Sequence, residues 1–132
     1  MSDDWETLAS WWVDEVVADP AYQEDIVPMA LELLGDVAPP VLELGCGEGQ
    51  VLRSIAATPR FGCDVSVSLL ELAAGHAPVV RCRLPDLGWV KTGAIETMVA
   101  VMVLEHVAEL ETLLREAARC VADGGTLTVV MN

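Results

Sequence analysis

The chain has 132 residues, close to the usual size of one domain, and 21 acidic against seven basic residues give it a formal net charge of −14. A surface of this charge repels phosphate backbones, which argues against DNA or RNA as a partner. The sequence contains no apolar stretch long enough to span a membrane and no basic amino-terminal start of a signal peptide. We therefore expect one domain, residues 1–132, in the cytoplasm.

The four cysteines give no sign of a metal or disulfide site. Cys46, Cys63, Cys82 and Cys120 are scattered, without a Cys-x-x-Cys pair. Buried, inert thiols are the simpler interpretation, weighed against a metal or a disulfide role. No metal is predicted.

Two helices are predicted before the first strand. Apolar residues recur at helical spacing on either side of the Asp19-Pro20 break. The two stripes consist of Trp5, Leu8, Trp12 and Val16, and of Ile26, Met29, Ala30, Leu33 and Leu34. We interpret residues 1–36 as a helical cap on a core formed by residues 37–132.

The remainder of the chain alternates between predicted strands and helices. The strands are Val41–Gly45, Arg60–Asp64, Val79–Arg83, Thr97–Val103 and Thr126–Met131. The first helix between them buries Val51, Leu52, Ile55 and Ala56, and the second covers Ser66–Ala74. The last helix buries a stripe from Leu110 to Val121 and ends at Gly124-Gly125. This alternation predicts an α/β fold with a Rossmann-like, doubly wound parallel sheet in the order 3-2-1-4-5.

The first strand ends in a glycine-rich turn. Residues 41–50 read Val-Leu-Glu-Leu-Gly-Cys-Gly-Glu-Gly-Gln, with glycine at every second position from Gly45 to Gly49. A strand that passes through such a loop into a helix is typical of a nucleotide-type cofactor site, because glycine lets the backbone approach a ligand. A dinucleotide loop is disfavoured, since Gln50 replaces the third glycine of Gly-x-Gly-x-x-Gly.

Three further segments follow the glycine loop in a fixed order. Residues 61–66 read Phe-Gly-Cys-Asp-Val-Ser, residues 103–107 Val-Leu-Glu-His-Val, and residues 123–127 Asp-Gly-Gly-Thr-Leu. Together with the loop they resemble the successive signatures of class I S-adenosylmethionine-dependent methyltransferases, over roughly residues 37–132. The resemblance implies S-adenosyl-L-methionine as cofactor and transfer of its methyl group to a small-molecule acceptor.

The resemblance also assigns roles to residues at the carboxyl ends of the strands. The loop glycines would line the amino-acid portion of the cofactor, Glu43 would hold the loop or reach the ligand's ammonium group, and Asp64 would accept hydrogen bonds from the ribose hydroxyls. Arg83 stands where an acid is common at the adenine edge, so Asp86 substitutes for that acid or the contact is lost. The predicted cofactor-binding residues are Glu43, Gly45, Cys46, Gly47, Gly49, Asp64, Val65, Asp86 and Val103.

His106 is the candidate catalytic residue. It follows strand four at the carboxyl edge of the sheet, and an imidazole can take a proton from a hydroxyl or an amine. The competing interpretation is that His106 only packs or hydrogen-bonds within its loop. Glu105 has the same two interpretations.

The amino-terminal helices are rich in aromatic residues, with Trp5, Trp11 and Trp12 inside eight residues and Tyr22 further on. The family resemblance implies a lid of such helices over cofactor and substrate. Core packing is the alternative, because Trp5 and Trp12 share the apolar stripe, whereas Trp11 points elsewhere.

The end of the chain also bears on function. The sheet of the family usually continues with an antiparallel pair, so the sequence resembles the cofactor-binding half of a methyltransferase, abbreviated at its carboxyl end or cut from a longer protein. A non-catalytic cofactor-binding or interaction module, completed by another chain, is the alternative function. Strand five is expected to be an outer strand without charged residues, which predicts self-association through its edge.

Overall fold

The computed structural model describes residues 4–17 and 19–132. Its strands are β1 (Val41–Leu44), β2 (Arg60–Asp64), β3 (Val79–Arg81), β4 (Ile95–Val101) and β5 (Val121–Val130). All pairings between them are parallel, and the strands form one sheet in the order β3-β2-β1-β4-β5. The predicted fold class and strand order are confirmed.

Five α-helices lie within the described residues: α1 (Asp4–Trp11), α2 (Val27–Leu34), α3 (Gln50–Arg53), α4 (Val67–Ala73) and α5 (Leu110–Cys120). A π-helix continues α1 over Trp12–Val17, another precedes α2 over Tyr22–Ile26, and a 3₁₀ turn covers Leu104–His106. Over this part of the chain, no helix has the length and apolar character needed to cross a membrane.

The sheet is covered by apolar clusters on both faces, as expected for a parallel sheet. Alternate residues of the strands point to opposite faces, so Leu42 and Met98 contribute to one cluster while Val41 and Val99 contribute to the other. Helix α5 packs on the first face through Leu113 and Ala117, and α2 packs on the second through Val27 and Ala30. The clusters cover the two faces of the sheet and leave the carboxyl ends of the central strands accessible.

Strand five begins earlier than its predicted start at Thr126. Val121 already pairs with Ile95, and residues 122–125 form an irregularity before Thr126 pairs with Thr97. Gly124, with a φ of 79°, lies in this irregularity and does not end a helix, since α5 stops at Cys120. The turn-forming glycines are thus absorbed by a bulge within the strand.

The predicted apolar stripes of the amino-terminal helices are partly wrong. Ala30 is buried, but Leu8, Met29 and Leu33 are exposed. In α2 the buried residues are Val27 and Ala30, so the face turned to the core is rotated from the predicted stripe. The side chain of Val16 lies outside the described part.

The helix after the glycine loop is shorter than predicted. Ile55 is buried, but Ala56 lies beyond the end of α3 and is exposed. Helix α4 follows the prediction closely, because the side chain of Ser66 caps it by accepting a hydrogen bond from the backbone N–H of Leu69 at 3.2 Å.

Candidate functional site

A cleft opens at the carboxyl edge of β1, β2 and β4 and is covered by α1 and the π-helical segments. It holds about 440 Å³ of empty space. Its lining consists of Trp5, Trp12, Tyr22, Gly45, Cys46, Gly47, Glu48, Asp64, Leu69, Val101, Met102, Val103 and His106.

The glycine loop forms the floor of this cleft. Gly45 and Gly47 have φ values of 63° and 56°, in the left-handed region that glycine adopts without steric penalty. A β-carbon on Gly45 would overlap the side chain of Val103, whereas one on Gly47 would point toward Trp12, 3.8 Å from its indole nitrogen. Glycine is thus required at position 45 so that the loop can pack against Val103. Glycine at position 47 keeps the cleft open.

Asp64 joins the end of β2 to the glycine loop. Its Oδ2 atom accepts a hydrogen bond from the backbone N–H of Gly47 at 2.9 Å, and its Oδ1 atom accepts one from Ser66 at 3.0 Å. Burial raises the pKa of the Asp64 carboxyl, and the backbone donors oppose that rise. The two motifs predicted to bind different parts of one ligand are therefore connected directly.

Glu43 is a buried carboxyl beneath the loop. It is 2% exposed, and its Oε1 atom has no hydrogen-bond partner among the described residues. Burial raises the pKa of Glu43 well above its ordinary value, and the charges of Glu48 and Asp64 raise it further. A cationic group nearby would relieve this energetic cost.

Glu48 and three aromatic rings form the opposite wall. The indole nitrogen of Trp12 donates a hydrogen bond to Oε2 of Glu48 at 3.0 Å, and burial raises the pKa of that glutamate. The Trp12 ring makes edge-on contacts with Trp5 and Tyr22, with ring centroids 5.4 and 5.8 Å apart. Trp12 also packs against the core cluster of α2, as the core-packing interpretation expects, while the lid over cofactor and substrate stays a prediction.

His106 completes the rim of the cleft. Its ring lies edge-on to Trp5, with centroids 5.2 Å apart, and its Nε2 atom is 3.7 Å from Oε1 of Glu105. The His106 side chain is 44% exposed, so a proton taken from a bound molecule could pass from it to solvent. Trp11, by contrast, is exposed on α1 and does not line the cleft.

Six of the residues predicted from the sequence line this cleft, and the other four do not. The six are Gly45, Cys46, Gly47, Asp64, Val103 and His106. Glu43 lies beneath the loop, and a β-carbon on Gly49 would face Ala73 of α4 rather than the cleft. Val65 lines a neighbouring hollow with Arg81, Cys82 and Arg83, which holds about 400 Å³ of empty space.

Asp86 is placed apart from both cavities. Its Oδ1 atom accepts a hydrogen bond from the backbone N–H of Gly88 at 3.0 Å, which closes a local turn. A short acidic side chain bound to its own turn accounts for its position without a ligand.

Four cleft residues were missed by the sequence analysis, namely Glu48, Leu69, Val101 and Met102. Glu48 sits between two loop glycines, and its alternation with them was the available signal. Met102 has a φ of 57° directly after β4, and its N–H donates a hydrogen bond to the carbonyl of Val130 at 2.7 Å. Sequence offers no signal for this turn, because non-glycine residues seldom adopt positive φ.

The cleft and the fold agree with the comparisons to known proteins. Residues 42–129 match the family described as Methyltransferase domain. The chain belongs to the class I S-adenosylmethionine-dependent methyltransferases. S-adenosylmethionine is the cofactor of that family.

Individual relatives share about half of their length with this chain. The trans-aconitate 2-methyltransferase of Acidovorax sp. (strain JS42) is 31% identical over 126 residues, covering 86% of this chain and 49% of that protein. The ubiquinone biosynthesis O-methyltransferase of Chromobacterium violaceum is 28% identical over 128 residues, covering 87% and 54%.

The fold is also that of solved methyltransferase structures. A chain in the complex between the Haloferax volcanii Trm112 methyltransferase activator and a methyltransferase superposes with a TM-score of 0.79 at 21% identity, covering 96% of this chain and 59% of that one. At this identity the similarity establishes the fold.

Proposed function

We propose that this chain binds S-adenosyl-L-methionine in the cleft and takes part in the transfer of its methyl group to a small-molecule acceptor. The supporting observation is that six residues chosen from separate sequence motifs line one cleft at the carboxyl edge of the sheet. Ligands of open α/β sheets bind at this edge. The cofactor would supply an electrophilic methyl group carried on a sulfonium centre.

The residues present fit such a ligand. Glu43 has a buried carboxyl oxygen without a hydrogen-bond partner among the described residues, and its neighbours Glu48 and Asp64 are also acidic, so the loop region suits a cationic amino-acid portion. Each carboxylate oxygen of Asp64 accepts one hydrogen bond from a backbone N–H and can accept another. These remaining positions would accept hydrogen bonds from the ribose hydroxyls. The hollow beside Val65 would take the adenine.

On the acceptor side, His106 is the group we propose to accept a proton. It lies at the rim of the cleft beside Val103, and its exposed ring can exchange that proton with water. Most of the rate enhancement would come from alignment of the acceptor in a cleft from which water is excluded.

The names of the curated relatives support a small-molecule acceptor. One is named for trans-aconitate and the other for ubiquinone biosynthesis. Because the chain spans about half of each, we treat a cytoplasmic location and the acceptor itself as part of the proposal. The four free, buried cysteines are compatible with a reducing compartment.

A non-catalytic binding module is the second candidate. It requires the fold and the cofactor cleft but no acceptor. Calorimetric titrations with S-adenosylmethionine, S-adenosylhomocysteine and NAD test cofactor binding, and an unbiased acceptor screen tests transfer. We expect both S-adenosyl compounds to bind and NAD not to bind; preferential binding of NAD would reject the proposed function, and binding without transfer to any acceptor would favour the module.

A further inference from the structure

A separate hollow lies where β2 and β3 begin, at the opposite end of the strands from the cofactor cleft. It holds about 620 Å³ of empty space, which is large enough for a small molecule. This Arg60 hollow shares no residue with the lining of the cofactor cleft or of the hollow beside Val65. Its own lining consists of Thr58, Pro59, Arg60, Phe61, His76, Ala77 and Pro78.

Arg60 brings a positive charge to this hollow and is held there by the backbone. Its Nη2 atom donates a hydrogen bond to the carbonyl of His76 at 2.9 Å, which joins the first residue of β2 to the segment before β3. Its Nε atom is buried and has no hydrogen-bond partner among the described residues. A guanidinium has five N–H donors, so Arg60 can still donate to an anion.

The lining of the Arg60 hollow differs in charge from the rest of the molecule. It includes an arginine and a histidine but no aspartate or glutamate among the described residues. The chain as a whole has 21 acidic and seven basic residues, and the cofactor cleft is lined by Glu48 and Asp64. An anion in the Arg60 hollow would therefore contact a cation without a carboxylate in the same lining.

The other walls of the Arg60 hollow are mostly apolar. Pro59, Phe61, Ala77 and Pro78 supply them, and Thr58 adds a hydroxyl at an exposed position. A carboxylate matches the planar fork of a guanidinium, which can donate two parallel hydrogen bonds to it. An apolar group attached to that carboxylate would gain free energy by covering the apolar walls.

We propose that the Arg60 hollow is a second ligand site, which binds a small carboxylate with an apolar tail. The guanidinium of Arg60 holds the carboxylate, and the tail lies against Pro59, Phe61 and Pro78. The occupant is not the methyl acceptor, because that molecule must reach the cofactor cleft at the other end of the strands. The cleft and the Arg60 hollow can therefore be occupied together.

The test is a titration of the whole chain with 3-phenylpropanoate, followed by the backbone amide resonances in nuclear magnetic resonance spectra. We expect saturable shifts at millimolar concentration that are largest for residues 58–61 and 76–77. Propanoate, which lacks the ring, and 3-phenylpropan-1-ol, which lacks the charge, should each bind more weakly. Shifts centred elsewhere, equal binding of the alcohol, or no saturable shift would overturn the proposal.

Two variants test the role of the hollow directly. Arg60→Gln should weaken binding of 3-phenylpropanoate about tenfold or more, the effect of losing hydrogen bonds to a charged group. The matched control is Arg115→Gln, on the exposed face of α5, which should leave the affinity unchanged. Thr58→Trp should block the hollow from its exposed rim. Wild-type affinity in either folded Arg60→Gln or folded Thr58→Trp would contradict the assignment.

A last titration separates this site from the cofactor cleft. The protein is first saturated with S-adenosylhomocysteine, and 3-phenylpropanoate is then added. We expect the same affinity and the same shifted residues, because the two linings share no residue. Displacement of either ligand by the other would place the carboxylate in the cofactor cleft and refute the proposal.

Discussion

At the scale of single residues, Asp64 combines the cofactor role that the sequence suggested with a structural role that the sequence did not. Its carboxylate organises the glycine loop through Gly47 and fixes the start of α4 through Ser66. The same carboxylate is the proposed partner of the cofactor ribose. Loss of its charge should therefore affect the ligand and the loop together.

We predict that Asp64→Ala weakens binding of S-adenosylhomocysteine by about 1.5–3 kcal/mol, the scale for removing a charged hydrogen-bonding partner. Asp64→Asn keeps one acceptor oxygen and should lose less. Titration calorimetry measures both affinities, and thermal unfolding checks that the variants are folded. A wild-type affinity in folded Asp64→Ala would remove this residue from the site.

A second residue-scale prediction compares two glycines with positive φ. Gly47 and Gly93 have φ values of 56° and 69°, and a β-carbon would clash with no atom at either position, the nearest being the indole nitrogen of Trp12, 3.8 Å from a β-carbon on Gly47. Valine at each position should therefore lower stability through the backbone, by about 1–2 kcal/mol. Only Gly47→Val should also abolish measurable cofactor binding, because its side chain would enter the cleft. If folded Gly47→Val binds like Gly93→Val, the loop does not contact the ligand.

The parts of the site that could be predicted share one property: a local signal in the chain. The glycine loop and Asp64 could be predicted from their spacing, because a loop conformation and the end of a strand each restrict the residue types at nearby positions. The bond between Trp12 and Glu48 could not be predicted, because it joins residues 36 positions apart. The positive φ of Met102 has no local signal either.

At the scale of elements, α1 is attached to α4 through one side chain. The Glu6 carboxylate accepts hydrogen bonds from the backbone N–H of Val67 at 2.6 Å and from the hydroxyl of Ser68. The hydrogen bond from Ser68 is the main cause that lowers the pKa of Glu6. The acid thus sits at the amino terminus of α4, where unpaired N–H groups favour a negative charge.

We predict that Glu6→Ala loosens α1 without unfolding the sheet. Because the folded pKa of Glu6 lies below its ordinary value of 4.5, its contribution is present above that pH and is lost as the pH falls through the folded pKa. Hydrogen exchange should increase over residues 4–17 at neutral pH while β1 and β4 keep their protection. Glu15→Ala, at an exposed position in the same segment, is the control; equal changes in both variants would contradict the role of Glu6.

The strands were easier to predict than the helices for a physical reason. β2 was located to the residue, and β4, a nearly continuous apolar run buried between the two faces, was located within two residues. The buried faces of α1 and α2 were harder to predict, because Leu8, Met29 and Leu33 are apolar but exposed. The first half of β5 was not predicted, because its bulge contains two glycines that resemble the end of a helix.

At the scale of the whole molecule, stability depends on acids held in an environment that disfavours their charge. The pKa values of Glu43, Glu48 and Asp64 are all raised, mainly by burial. A raised pKa means that the folded state keeps its proton up to a higher pH than the unfolded state does. Stability contributed in this way is complete at low pH and falls as the pH rises from the ordinary value toward the folded value.

We predict that Glu43→Gln raises the thermal midpoint at neutral pH and changes it little below pH 4.5, the ordinary pKa of the group. The amide still accepts a hydrogen bond but carries no charge. Thermal unfolding over a pH series measures the effect, with Glu32→Gln as an exposed control. A destabilised variant at neutral pH would mean that the Glu43 charge has a stabilising partner.

Self-association through β5 remains a prediction at the same scale. This strand is an edge of the sheet, but Thr128 and Val129 are half-buried beneath the helices, so a lysine there would disturb packing. Thr126 is exposed and is the better position for a deterrent charge. Sedimentation at micromolar concentration should show dimers that increase with salt, since a net charge of −14 opposes association, and Thr126→Lys should shift them toward monomer. Thr112→Lys on α5 is the control; monomers at every salt concentration would refute the prediction.

The placement of the indole rings gives the protein a built-in optical reporter. Two of its four tryptophans, Trp5 and Trp12, face the cleft, while Trp11 and Trp89 are exposed to solvent. Any molecule that enters the cleft must displace or contact Trp5 and Trp12, so its binding should change their fluorescence emission. The emission of Trp11 and Trp89 should stay constant. Replacing Trp11 and Trp89 by phenylalanine would leave a signal from the cleft alone, and libraries of unlabelled compounds could then be screened by their effect on it.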